Sequence, residues 1–204
     1  MGFRLALCGS LVRLVWNLIG KTHRRHDPIV LMEPTAAYAD DIWQFRQEII
    51  ASDDRDKFAG CGSLEQCASA QEWIDAIRRN QSEETCQKDL VPSRIDIAVR
   101  KRDNRIVGII ELRYHINHPI LGTWGGHIGY YVRPGERRRG YAKEMLRQTL
   151  RSCKRLNIHK VLITCDDDNP ASEKVIRANG GVFEKNITVD GHVMKRYWIT
   201  VDNT

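Results

Sequence analysis

The chain has 204 residues, 42% apolar and 28% charged, which is the profile of a folded globular protein and excludes wholesale disorder. Its formal charge of +6 is not a nucleic-acid signature: Arg4, Arg13, Lys21, Arg24 and Arg25 against Asp27 put +4 of it in residues 1–27 and leave only +2 for the rest. The six cysteines (8, 61, 67, 86, 153 and 165) have neither C-x-x-C nor metal-ligand spacing, which argues against a zinc site or a disulfide scaffold and for a reducing, cytoplasmic setting.

Residues 3–19 are mostly apolar but contain Arg4 and Arg13, and a basic cluster follows them. The run is short for a membrane span, and a signal peptide would carry its charge on the other side. Residues 1–27 therefore read as a basic extension, amphipathic or disordered, and as the one segment through which membrane contact is expected. Residues 28–204 read as a single folded domain.

Within that domain, 29–34 predicts a strand. Thr35 caps a helix from Ala36 to about Ala51, with Ile42, Trp43, Phe45, Ile49 and Ile50 on its apolar side. The charged, glycine-bearing stretch 52–63 predicts a loop, and a second helix is expected from about Leu64 to Gln81 with Ser63 as its cap. A polar connection ends at Pro92. Residues 94–100 and 105–114 predict a hairpin turning at Asp103-Asn104. After a polar–glycine link, His127 to Val132 predicts another strand, broken by Pro134-Gly135. The helix that follows carries Ala142, Met145, Leu146, Thr149, Leu150 and Cys153 on one stripe. Lys160 to Cys165 is a continuous apolar run, expected of a strand buried on both faces. A short helix from Ser172 to Asn179 stops at Gly180-Gly181, and 182–184 and 193–201 predict the last strands, with a turn at Asp190-Gly191. The order is β α α β β β α β α β β.

The stretch from Gly126 to Leu156 concentrates the chemistry. A strand, an arginine–glycine loop and a helix N-terminus make an anion site. Amide N–H groups of the first turn lack intrahelical partners, the helix dipole adds partial positive charge, and Arg137, Arg138 and Arg139 add full charges.

Arg137-Arg-Arg-Gly-Tyr-Ala142 matches the Arg/Gln-x-x-Gly-x-Gly/Ala signature of the GNAT acetyltransferases. Asn169-Pro-Ala-Ser172 is similar to the family's second motif, and Ile176 to Phe183 resembles the end of that motif. The chain looks most like bacterial-type members of undefined substrate, and the resemblance covers residues 28–200. It implies an α/β fold with a central mixed sheet flanked by helices on both faces. It also implies acetyl-CoA as cosubstrate, no metal, and transfer of the acetyl group to a primary amine of a small molecule or protein by direct attack in a ternary complex. A homodimer is left open. On this resemblance the backbone of Arg137, Arg138, Arg139, Gly140, Tyr141 and Ala142 holds the pyrophosphate. The backbone of Tyr130, Tyr131 and Val132 binds the pantetheine arm, with Val132 N–H on the thioester carbonyl. Asn169 and Ser172 approach from the following strand's end.

The sequence departs from the family where many members carry a tyrosine acid seven residues after the second-motif asparagine, because that position is Ile176. Tyr131 and Tyr197 are the alternative hydroxyls. For the base, His127 and Glu111 are the candidates, with a water relay as the third route. Arg113 shares a strand face with Glu111, so the two are also expected to form an ion pair. The run Asp166 to Asp168 reads as a polar strand end. The missing tyrosine keeps a second function in view, a weakly catalytic module that binds acyl-CoA as a ligand.

Overall fold

A computed structural model describes residues 27–201, so the expectation for the N-terminal extension lies outside the described residues. The observed order is β1 (Ile29–Met32), α1 (Ala39–Ile50), α2 (Ala70–Arg79), β2 (Ser93–Arg100), β3 (Arg105–Arg113), β4 (Ile128–Val132), α3 (Tyr141–Arg155), β5 (Lys160–Asp166), α4 (Pro170–Arg177), β6 (Val182–Val189) and β7 (His192–Thr200). The sequence of element types is the one expected.

The strands form two antiparallel sheets, β1-β2-β3-β4 and β5-β7-β6. The β4 and β5 edges meet at one point, where His127 N–H donates to the Leu162 carbonyl at 2.8 Å and Leu162 N–H donates to His127 Nδ1 at 3.0 Å. Beyond that clasp no backbone hydrogen bond joins the two described edges, and the strands leave a gap. The apolar run of β5 is thus buried beside this gap rather than in the middle of a ladder.

Strand alternation sorts the side chains onto two cores. Ile95, Ile97, Val99, Ile106, Ile109 and Tyr131 pack with α1 and α2. Ala98, Val107, Ile110, Leu112 and Ile128 pack with the stripe of α3 and with Ile176 of α4. Ile106 and Ile109 share a face although three apart because the register shifts between Ala98 and Val99, leaving Val107 as the extra residue of a bulge. The α3 stripe buries Tyr141, Met145, Leu146, Thr149 and Cys153, and each large apolar chain so buried contributes about 1.5–3 kcal/mol.

Three element boundaries differ from expectation. Thr35 caps only a 3-10 turn, Ala36–Tyr38, without a side-chain bond, and the α-helix proper starts at Ala39. The second helix starts at Ala70, not near Leu64. Ser69 Oγ accepts from Glu72 N–H at 3.1 Å and Glu72 Oε2 accepts from Ala68 N–H at 2.7 Å, a capping arrangement legible as Ser-x-x-Glu. The last hairpin's first strand runs to Val189, with most of its side chains exposed at the sheet edge, so Lys185, Asn186 and Thr188 hid it from any apolar pattern.

Two buried arginines lock the elements around the gap. Arg133, fully buried, donates to the Ile106 carbonyl (2.8 Å) and to Asp41 Oδ1 (2.7 Å), ion-pairs with Glu48 (3.0 Å) and stacks on Phe45, pinning α1 to the end of β4. Arg100 reaches Glu136 at 2.6 Å, which fixes the turn that leads into α3. Breaking such a buried pair on one side leaves a bare charge and costs about 3–5 kcal/mol.

Candidate active site

The site is built on the open edge of β4. Two bonds flanking its ladder with β3 set the phase: Arg113 N–H to the His127 carbonyl (2.8 Å) and Arg133 N–H to the Val107 carbonyl (3.0 Å). Odd-numbered residues of β4 therefore spend their peptide groups on β3, and the N–H and C=O of Tyr130 and Val132 face the gap. This is a row of strand donors and acceptors with no strand opposite them.

At the C-terminal end of that row the chain turns through Pro134–Glu136 into the arginine loop. Arg138 (φ 61°) and Gly140 (φ 87°) are both left-handed, and Gly140 occupies the cap position of α3 without offering a side chain to it. Left-handed residues in a loop that enters a helix turn N–H groups toward one side, and this loop, entered from an extended Arg137, is the candidate nest for an anion. Arg138, Arg139 and Gly140 are exposed there, and Tyr141 is buried beneath. Arg139 ion-pairs with Glu136 at 3.1 Å. Glycine at 140 suits that φ and leaves the approach bare. The gap and the nest fit a pantetheine diphosphate: an amide-bearing arm suits a strand edge with no strand opposite it, and an anion suits oriented N–H groups.

Arg137 behaves differently from its two neighbours. Its guanidinium forms a two-pronged pair with Asp54 (Nη1–Oδ1 2.8 Å, Nη2–Oδ2 2.5 Å), lies 5.1 Å over the Tyr131 ring, and donates from Nε to the Val132 carbonyl at 3.3 Å. The Tyr131 hydroxyl donates to the same Asp54 oxygen, with Ser52 Oγ 3.2 Å away. The guanidinium holds the Asp54 carboxyl well below the usual carboxylate range, and burial together with the Asp54 bond pushes the Tyr131 phenol up to about 12. Ser52 and Asp54 belong to the stretch expected only as a loop. The signal that could have found them is weak, an acidic run facing an arginine triplet far along the chain.

Gly129 shows how close that loop comes. A Cβ built on Gly60 would lie 2.1 Å from the Gly129 carbonyl oxygen, so the 52–63 loop crosses β4 backbone to backbone on its α1 side.

Glu111 stands opposite Gly129 in the β3–β4 register, on the same sheet face as Tyr131. Arg113 donates to its Oε2 at 2.6 Å, and Arg113 is itself held by the carbonyls of Gly125 (3.2 Å) and Gly126 (3.3 Å). Both side chains line a cavity of about 840 Å³ between the α1–α2 loop, α2 and the link after β3. Phe58, Ile77, Ile95 and Leu121 contribute its apolar wall.

His127 is buried and fully engaged. With Nδ1 accepting from Leu162 N–H, the ring proton sits on Nε2, and burial lowers its pKa to about 4. That geometry makes it the clasp between the sheets and leaves no free lone pair for a substrate proton. Asn169 caps α4, its Oδ1 accepting from Ser172 N–H at 3.0 Å, and Ser172 Oγ accepts from the Tyr130 hydroxyl at 3.3 Å, across the gap. Tyr197 is buried on β7, against Phe183 and under the Arg177 guanidinium, away from the cavity lining. Ile176 is fully buried in the α3–α4 core. Among the described residues no group of three or more His, Cys, Asp and Glu side chains is placed to hold a metal ion.

Comparison with known proteins is consistent with this geometry. A family model described as an acetyltransferase (GNAT) domain matches residues 29–182. Among solved structures, the RimL ribosomal L7/L12 alpha-N-protein acetyltransferase in complex with coenzyme A superposes with a TM-score of 0.60 at 17% identity, covering 88% of this chain and 99% of that one. Mutant forms of the spermidine/spermine N-acetyltransferase SpeG from Vibrio cholerae give 0.56 at 16% identity over 84% and 93%. The microcin C7 self-immunity acetyltransferase MccE, in complex with acetyl-CoA and AMP, gives 0.55 at 16% over 86% and 93%. No match is found among curated proteins.

Proposed function

This chain belongs to the GNAT acetyltransferase family, and we propose that it moves an acetyl group from acetyl-CoA to a primary amine of a small molecule or protein, by direct attack in a ternary complex. The observation that carries this reading is the placement of the open β4 edge, with no strand opposite it, between the arginine nest and the cavity that holds Glu111. A cofactor laid along the edge, diphosphate in the nest, presents its thioester beside Val132 N–H. One preorganised N–H on the developing oxyanion contributes roughly 3–4 kcal/mol.

The acceptor enters from the cavity. An ordinary amine is protonated below pH ~10.4 and must lose a proton before it attacks. We assign that proton to Glu111, whose Oε2 is held by Arg113 and whose carboxylate lines the cavity. His127 is set aside as the base because its Nδ1 lone pair is spent on Leu162. As the C–N bond forms and the C–S bond breaks, the leaving thiolate takes a proton. A free thiol's pKa of about 8.5 makes it a tolerable leaving group even unaided. Tyr131, still protonated at neutral pH and on the same sheet face as Glu111, is the hydroxyl we assign to that proton, which it now donates to Asp54.

Charge on the cavity wall narrows the acceptor. Glu111 and Asp89 are outweighed by Lys57, Arg79 and Arg113, so a polyamine finds no acidic track and a compound with a single amine fits better. The five described cysteines are all free thiols, which supports a reducing, cytoplasmic setting. We place the enzyme in residues 28–204 and any membrane contact in residues 1–27; no helix of the described residues is long and apolar enough to cross a membrane. The test is thiol release from acetyl-CoA across a panel of amines. Turnover with single amines and little with spermidine is expected; tight cofactor binding without turnover on any amine would favour an acyl-CoA-binding module instead.

A further inference from the structure

Residues 54 and 55 of the α1–α2 loop bond to opposite sides of the β4–β5 gap. Asp54 takes Arg137 and Tyr131 on the β4 side. Arg55 ion-pairs at 3.0 Å with Asp168, just past the end of β5. Two consecutive side chains thus strap the loop across the mouth of the gap.

The Asp54 end of the strap has the chemistry of an occupant. A guanidinium presents two parallel N–H donors that match a carboxylate or a phosphate equally well, and here both prongs are spent on Asp54. The pair is only partly buried, with side chains 39% and 27% exposed, so another anion can reach it. Arg137 opens the loop whose N–H groups form the nest, so an anion seated there lies within reach of this guanidinium. Both anions cannot hold the same fork.

We propose that Asp54 is a stand-in for the cofactor's diphosphate on Arg137, and that diphosphate binding exchanges with it and releases the β4 end of the 54–55 strap over the acceptor side. The inference rests on the cofactor reading above. It makes Asp54 a positioning residue, which acts through Arg137 and Tyr131 rather than on the reacting atoms. The exposed Arg55–Asp168 pair is too weak to hold the strap alone, since solvent screens both of its charges.

The test compares the full-length protein with its Asp54→Asn variant by titration calorimetry, using acetyl-CoA and acetyl-pantetheine, which lacks the diphosphate. The variant should bind acetyl-CoA about 3- to 5-fold more tightly, the range expected for losing one competing partly exposed ion pair. Its affinity for acetyl-pantetheine should equal that of the parent. A second readout needs no variant: trypsin cleavage after Arg55 and Lys57 should speed up in the parent on adding acetyl-CoA or inorganic pyrophosphate, and not on adding acetyl-pantetheine. Equal or weaker acetyl-CoA binding by Asp54→Asn, or slower cleavage with acetyl-CoA, overturns the exchange while leaving the cofactor reading intact. Failure of both proteins to bind acetyl-CoA overturns the cofactor reading, and the exchange with it.

Discussion

Gly140→Glu tests the cofactor cradle most directly. Position 140 has φ 87°, so any residue with a Cβ placed there carries left-handed strain of about 1–2 kcal/mol, and Gly140→Ala isolates that cost. Glutamate adds a full negative charge at the centre of the proposed nest. With an effective dielectric of about 40 and a separation of about 6 Å, each charge of a diphosphate is opposed by about 1.4 kcal/mol, or about 3 kcal/mol for two. The expected outcome is a loss of acetyl-CoA affinity of roughly 100-fold for Gly140→Glu. Gly140→Ala should lose a fraction of that while its melting point falls by a few degrees. Calorimetric titration with acetyl-CoA, with cooperative unfolding checked for both variants, reads the result. An affinity for Gly140→Glu within about threefold of the parent would refute the placement of the diphosphate, and with it the use of Val132 N–H.

Two further outcomes follow from the geometry. Glu111→Gln keeps the size of the side chain and removes its ability to take a proton, so kcat should fall by about 100-fold or more while acetyl-CoA affinity holds; steady-state kinetics over pH checks it, and an unchanged pH profile would return the base to a water relay. His127 has its pKa lowered from 6.5 to about 4 by burial, so the folded state prefers the neutral ring. Its contribution is fully present above pH 6.5 and is lost as pH falls through the folded pKa near 4, with a total of about 3 kcal/mol. Urea unfolding at pH 7.5 and 4.5 should therefore show a smaller acid-induced loss for His127→Gln than for the parent, and equal losses would argue against the buried clasp.

Much of the molecule could be read from local pattern. The element order came from period-2 and period-3.6 burial, and the arginine–glycine loop could be placed at a helix start because turn, glycine and apolar stripe lie within a few residues of one another. Where the reading slipped, a local cue was outweighed or unread. The Ser69–Glu72 cap was present but earlier residues looked equally helical, and the polar exposed edge strand carried no apolar signal at all. His127 looked like a base because histidine titrates near neutral pH. Burial and one hydrogen bond from a residue 35 positions away turned it into a clasp.

The sequence by itself therefore determined the strand, the arginine–glycine loop and the helix start that we propose receive an anion, since backbone conformation and N–H direction follow from neighbouring residues. Only the tertiary structure decided which partners those groups have. It splayed β4 from β5, set Glu111 beside the cavity, and brought Asp54 onto Arg137 across 83 positions of chain. The physical reason is that burial periodicity says which face a side chain takes but not what lies opposite it. A charge or a lone pair gains its role from the particular group that packing brings within hydrogen-bonding distance.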